Sequence, residues 1–282
     1  MSKEDQLQWE ARFGPPAAVA AFAAGLLVLA GQVIIQTLLE RRPGLEPLPE
    51  FLVSVDQHSS SLIASRVVQA LSALCLILVF YYLFRAIRLR SPQMPSWFVY
   101  LIFAGPVLYG LSQVLGALSQ LDVASDFVDG APIRGEPGDV RADELTEDGQ
   151  NGFVAGFGLA GTVAVAFLFV MLPLRARRVG LMSPFMGILG VICGVLLVLP
   201  LIPGVPVIIQ AFWLGAVGLL ILGRWPGGRG EAWETGEAVP WPTPAQRRGL
   251  APPPDAGPAP EPDGAEPEPA PKRPSSRKRK RR

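Results

Sequence analysis

Few side chains in this 282-residue chain have the types and spacing that chemistry demands. The single histidine, His58, stands in VDQHSSS beside Asp56 and Ser59 to Ser61, the residue types of a hydrolytic triad. A triad is a constellation in space that sequence neighbours do not form, so His58 reads as an ordinary loop residue. Asp122, Asp126 and Asp129 lack the ligand spacing of a calcium loop and read as solvated acidic surface. Cys75 and Cys193 each lie alone in an apolar run, with no disulfide framework and no metal spacing. No phosphate-binding glycine motif follows a strand, so no cofactor is expected. What remains is a set of polar groups inside apolar segments: Gln32, Gln36, Arg66, Gln69, Ser112, Gln113 and Gln210. Such groups either bond to one another between helices or line a pocket for a ligand.

The elements that must position them are apolar runs. Half of the chain is hydrophobic and 17% is charged, against about 25% charged in typical soluble domains. A hydrocarbon slab of about 30 Å takes roughly 20 apolar residues per helix. Six runs fit, at 15–39, 62–84, 97–121, 152–174, 184–201 and 205–223. The last two form a hairpin without charge, broken by Pro200, Pro203, Gly204 and Pro206. The first run is too long for the core of a cleavable signal, so it is expected to be retained, with Pro15 and Pro16 at its helix start. The sequence therefore predicts an all-α polytopic membrane bundle of six transmembrane helices. Residues 40–60 and the acidic stretch 122–151 are expected as loops.

Arginine placement orients the bundle. Alternate ends carry Lys3 and Arg12, then Arg85, Arg88 and Arg90, then Arg175, Arg177 and Arg178, then Arg224 and Arg229. The opposite ends carry Arg41, Arg42, Arg134 and Arg141. Cytoplasmic ends hold the excess of Lys and Arg, which puts both termini, including residues 1–14, inside and the acidic stretch outside. All seven candidate polar residues then fall in the outer halves of their helices, as an outward-facing pocket would require. Small residues at intervals of three or four supply smooth contact faces: Ala17, Ala21 and Gly25; Gly152, Gly156, Ala160 and Ala164; Gly187, Gly190 and Gly194; Ala211 and Gly215.

Beyond the spans, residues 224–246 carry Trp225, Trp233 and Trp241 and read as a juxtamembrane segment lying on the headgroups. The Pro-rich composition of 247–282 cannot offset its ordering entropy, so that tail is expected to be disordered. It ends in Lys272, Arg273, Arg277, Lys278, Arg279, Lys280, Arg281 and Arg282, a basic block suited to anionic lipid headgroups and less so to nucleic acid.

The hairpin segments FMGILGVICGVLLVLP and QAFWLGAVGLLILGRWPGG, with AWETGEAVPWP after them, resemble an uncharacterised family of actinobacterial six-span integral membrane proteins. The resemblance implies a bacterial plasma membrane and six spans, and it carries no activity to any residue. The expected function is a non-enzymatic membrane scaffold or accessory protein whose first partner is the bilayer. The alternative is a small-solute binder or permease that uses the outer polar pocket.

Overall fold

The computed structural model describes residues 2–38, 48–133, 135–149, 152–199 and 204–242. The basic block at 272–282, the tail from 247, Arg41, Arg42 and Pro200 to Pro203 lie outside the described residues. The described chain is helical, without a strand. Its elements are α1 (Lys3–Leu38), α2 (Leu48–Gln57), α3 (Ser59–Arg90), α4 (Phe98–Asp129), α5 (Glu136–Gly149), α6 (Gly152–Arg178), α7 (Pro184–Val198), α8 (Val205–Ile221) and the short α9 (Ala232–Thr235).

Four of these, α1, α3, α4 and α6, are long and apolar enough to cross a membrane. The helices of the hairpin are shorter, with 15 residues in α7 and 17 in α8. At 1.5 Å per residue they reach about 22 and 25 Å. The six apolar helices close a ring: α1 packs between α8 and α3, α3 continues to α4, α4 to α6, α6 to α7, and α7 returns to α8. Every member turns large apolar side chains outward, among them Leu26, Leu78, Phe103, Leu159, Phe185 and Ile208. A girdle of that extent suits hydrocarbon and not water.

Inside the ring, Trp213 is fully buried and meets Phe169 edge-on at 5.3 Å, and Phe169 meets Phe80 edge-on at 5.1 Å. The indole of Trp213 donates to the Met186 carbonyl at 3.0 Å, which ties α8 to the first turn of α7. That approach needs Gly190, because a Cβ there would meet Pro173 Cβ at 2.7 Å and Trp213 Nε1 at 3.1 Å. Ser183 caps α7 by accepting from the Met186 amide.

The small-residue faces match the expected stripes in part. Ala17 and Ala21 are buried, and Gly25 rests on the Ala211 carbonyl; Gly187, Gly190 and Gly194 all face α6. On α6 the stripe is different from the expected one. Gly152 and Gly156 face open space and Ala160 is exposed, whereas Gly158, Gly161 and Ala164 make the contact with α4. The crossing point decides this: Gly161 lies against the backbone of Leu108 and Tyr109, and the two helices diverge beyond it. On α8, Gly215 likewise faces open space, and Gly218 takes the contact instead, under the ring of Phe22.

Three expectations about helix limits need correction. α1 begins at Lys3 and runs through Pro15 and Pro16, so these residues do not start it. Pro106 likewise lies inside α4; a proline costs a helix one internal bond, which packing can offset in apolar surroundings. Residues 40–60 contain α2, whose Leu52 and Val55 are buried beside Ala124 and Phe127. The stretch 122–151 holds the last turns of α4 and all of α5. There Arg141 donates to the Asp126 and Phe127 carbonyls at 2.5 and 2.9 Å, bonding the otherwise unpaired carbonyls that end α4. Charge hides this second small core from a hydropathy reading, since α5 contributes Ala142 and half-buried Leu145 among its acids.

The α4–α6 crossing generates a matched pair of expectations. A Cβ at Gly161 would sit 2.7 Å from Tyr109 Cα, a backbone atom that cannot step aside. Gly161→Ala is expected to destabilise the purified protein by about 1–3 kcal/mol. Gly156→Ala, with nothing within 4 Å, should be neutral or stabilising by up to about 1 kcal/mol. Thermal unfolding of both variants in the same detergent measures the difference.

Candidate functional site

Of the seven polar residues singled out by sequence, three meet directly. Arg66 on α3 donates from Nη1 to Gln113 Oε1 on α4 at 3.1 Å and to Gln69 Oε1, one turn along its own helix, at 3.4 Å. Helical spacing makes this possible: Arg66 and Gln69 are three apart on one face, and that face lies on α4. The Tyr109 side chain, one turn from Gln113, hydrogen-bonds it. Ser112 turns its hydroxyl back to the Tyr109 carbonyl at 2.8 Å and stands next to Gly158 of α6.

The other three stay outside this cluster. Gln32 and Gln210 are half-buried on α1 and α8, and Gln36 is exposed beside Gly204 at the start of α8. α1 contributes Gly31 instead, since a Cβ there would meet Gln69 Cγ at 2.8 Å. No hydrogen bond among the described residues joins Gln32, Gln36 or Gln210 to Arg66. The expected seven-residue pocket is thus a tighter group on α3 and α4.

Above the α4–α6 crossing, where the two helices diverge, a cleft of about 280 Å³ opens. Leu52 of α2, Gly116, Ser119 and Gln120 of α4, Thr146 of α5 and Ala155 of α6 line it. Gly116 lies three residues along from Gln113 and four from Ser112, so the cleft begins one turn beyond the polar cluster.

The most heavily bonded charge among the described residues lies at the other, arginine-rich end of the bundle. Arg90 forms a two-pronged pair with Glu10, its Nη1 on Oε1 and its Nη2 on Oε2 at 2.9 Å. Its Nε and Nη2 also donate to the Ala232 carbonyl at 3.0 and 2.7 Å, and Nη1 to the Ala86 carbonyl at 2.9 Å. Both ionic side chains are out of solvent, at 0% and 4% exposure. Gln6 donates to Glu10 and to the Gly236 carbonyl.

The segment 224–242 folds over this pair. Trp233 stacks on Tyr82 at 6.1 Å and donates to the Leu181 carbonyl at 2.9 Å, while Arg229 and Arg90 stand 4.8 and 5.5 Å from its ring. Trp241 donates to the Gly180 carbonyl at 2.9 Å. Gly180 is in the left-handed region at φ +83°, and a Cβ there would overlap the Val239 carbonyl, so only glycine lets the two stretches close. Lys3 pairs with Glu237 on the surface, and this bond holds the Glu237 carboxyl below its usual pKa. Of the three tryptophans expected on the headgroups, Trp233, at 5% exposure, instead faces protein, because its indole finds a carbonyl and a cation there. Sequence reasoning counted Arg90 as an orientation signal and passed over Glu10. Three acids, Glu4, Asp5 and Glu10, precede the first apolar run, and no signal in the sequence singles out Glu10 among them.

His58 sits between α2 and α3, exposed, with Nδ1 3.0 Å from the Ser54 carbonyl. Among the described residues no three His, Cys, Asp or Glu side chains gather as a metal site would require. Comparison with protein families, with curated proteins and with solved structures finds no match to this chain.

The cap gives a direct expectation. Trp233→Ala should lower stability by about 3–5 kcal/mol and expose 224–242 to protease. Glu234→Ala, at an exposed neighbouring position, should do neither; thermal unfolding and limited proteolysis in detergent measure both effects.

Proposed function

We propose that this chain is a six-span protein of the plasma membrane, with both termini cytoplasmic, acting as a non-enzymatic scaffold or accessory protein. The observation that carries the reading is that folded structure continues past the apolar girdle at both ends. At one end α2, the end of α4 and α5 share a small core; at the other, 224–242 covers Arg90. Both assemblies turn charged side chains to solvent, with Asp139, Asp143 and Glu144 at one end and Glu231, Glu234 and Glu237 at the other. Such surfaces suit protein contacts on either side of a bilayer. The arginine asymmetry supports the orientation. The place of α7 and α8 in the same ring as the four long helices supports six crossings, as does the resemblance of the hairpin and AWETGEAVPWP to the actinobacterial six-span family.

A second reading, binding of a small solute in an outward-facing pocket, draws on one observation: Arg66 bonds both Gln69 and Gln113, and Gln113 stands one turn along α4 from a cleft. The basic block at 272–282 is assigned to anionic inner-leaflet lipid on its charge alone.

Thiol labelling of whole cells tests the threading, in a background with Cys75 and Cys193 replaced by alanine. An impermeant maleimide is expected to reach Asp139→Cys and Leu199→Cys on intact cells, and Glu234→Cys after permeabilisation. Leu199→Cys labelled from the cytoplasmic side would contradict crossing by the hairpin. For the scaffold role, a photo-crosslinking residue at Glu144 or Glu234 should give a discrete adduct in native membranes. Adducts from neither position would contradict it.

A further inference from the structure

The arginines held by hydrogen bonds in this structure differ in how much of the guanidinium is used. Arg90 has every edge on an acceptor, and Arg141 and Arg229 bond helix-end carbonyls. Arg66 spends one nitrogen, Nη1, on two neutral amide oxygens. Among the described residues, no acceptor bonds Nε or Nη2, and no carboxylate pairs with the charge. A guanidinium has five N–H donors, and the Nε–Nη2 edge carries the parallel pair that grips an oxyanion with two bonds. A cation at this depth without a counter-charge is expensive, so the empty edge marks a missing partner and not a finished contact.

We propose that Arg66 binds a phosphate group through its Nε–Nη2 edge. Gln113 and Gln69 hold the guanidinium by Nη1, and Tyr109 holds Gln113, so the open edge is fixed in advance of the ligand. Position selects the ligand chemistry. Arg66 stands four residues beyond the start of the run 62–84, about one helical turn inside the hydrocarbon, where an arginine reaches the headgroup plane and its phosphates. The phosphate comes either from an outer-leaflet lipid headgroup or from a free solute entering past Gly116 and Gln120. This rests on the pocket reading for the polar cluster and adds the chemistry of its ligand.

The test uses the full chain in a non-ionic detergent, with inorganic phosphate and a short-chain phosphatidylglycerol as probes and a diacylglycerol as the lipid without phosphate. Saturable thermal stabilisation by one of the phosphate probes, with none from diacylglycerol, is expected. A shift from phosphatidylglycerol alone assigns a headgroup, and one from inorganic phosphate assigns a solute. Arg66→Gln should abolish the shift, and Arg66→Lys, which keeps the charge and loses the paired edge, should raise half-saturation at least tenfold; the lysine variant decides the matter should the glutamine variant not fold. No shift with either phosphate probe, or an unchanged shift in the folded variant, overturns the assignment. Maleimide labelling of Gln69→Cys separates this from the pocket itself. A labelled thiol with no phosphate shift leaves the pocket and overturns the phosphate. An unlabelled thiol with a phosphatidylglycerol shift removes the solute pocket and supports a headgroup phosphate.

Discussion

A charge taken out of water must find its full set of partners, and in this protein Arg90 dictates where the ends of the chain go. Its guanidinium draws on three separate stretches: Glu10 from α1, Ala86 from its own helix, and the Ala232 carbonyl from the segment after α8. Removing one partner from such a pair costs about 3–5 kcal/mol, so none of the three stretches is optional. This explains why α1 stays helical through Pro15 and Pro16. The helix must extend far enough toward its N-terminus to present Glu10 at the last turn of α3. It also explains why 224–242 folds back on the bundle. Trp233 and Trp241 bond the Leu181 and Gly180 carbonyls, where the backbone turns left-handed at Gly180.

The opposite half of the bundle is built on close approach and its loss. α4 and α6 touch backbone to side chain at Gly105, Tyr109, Gly161 and Ala164, then separate. Their separation leaves Gly116, Gly152 and Gly156 facing space and opens the cleft beneath α2. A ring that is tight at one end and splayed at the other leaves this cleft one turn along α4 from Gln113, the partner of Arg66. The two arginines therefore contrast in kind. Arg90 is saturated and structural, whereas Arg66 is positioned by neutral amides, with three of its five N–H donors unbonded among the described residues.

Much of this was legible in the sequence because apolar length is a strong signal. The apolar runs, the hairpin break around Gly204 and the glycine face of α7 follow from composition and spacing, whereas spacing alone does not single out Arg66, Gln69 and Gln113 from the seven polar residues. What escaped depended on partners distant in sequence. α2 and α5 lie in charged or proline-rich stretches, where hydropathy registers no core, although Leu52 and Ala142 are buried. The α6 stripe was misassigned because Gly152–Gly156–Ala160–Ala164 and Gly158–Gly161 are equally small, and only the crossing point with α4 distinguishes them. Gln32, Gln36 and Gln210 share a depth with Arg66 but not a side of the ring. The Glu10–Arg90 pair spans 80 residues, and neither residue lies in a predicted span.

The central claim is that the buried pair locks α1, α3 and the segment after α8 into one body. A double-mutant cycle measures it, with unfolding free energies for Glu10→Met, Arg90→Met and the two together. The account predicts a large loss for each single replacement and a double variant much more stable than their sum, with coupling of about 2–3 kcal/mol. Additive effects, each within about 0.5 kcal/mol of the parent, would contradict it.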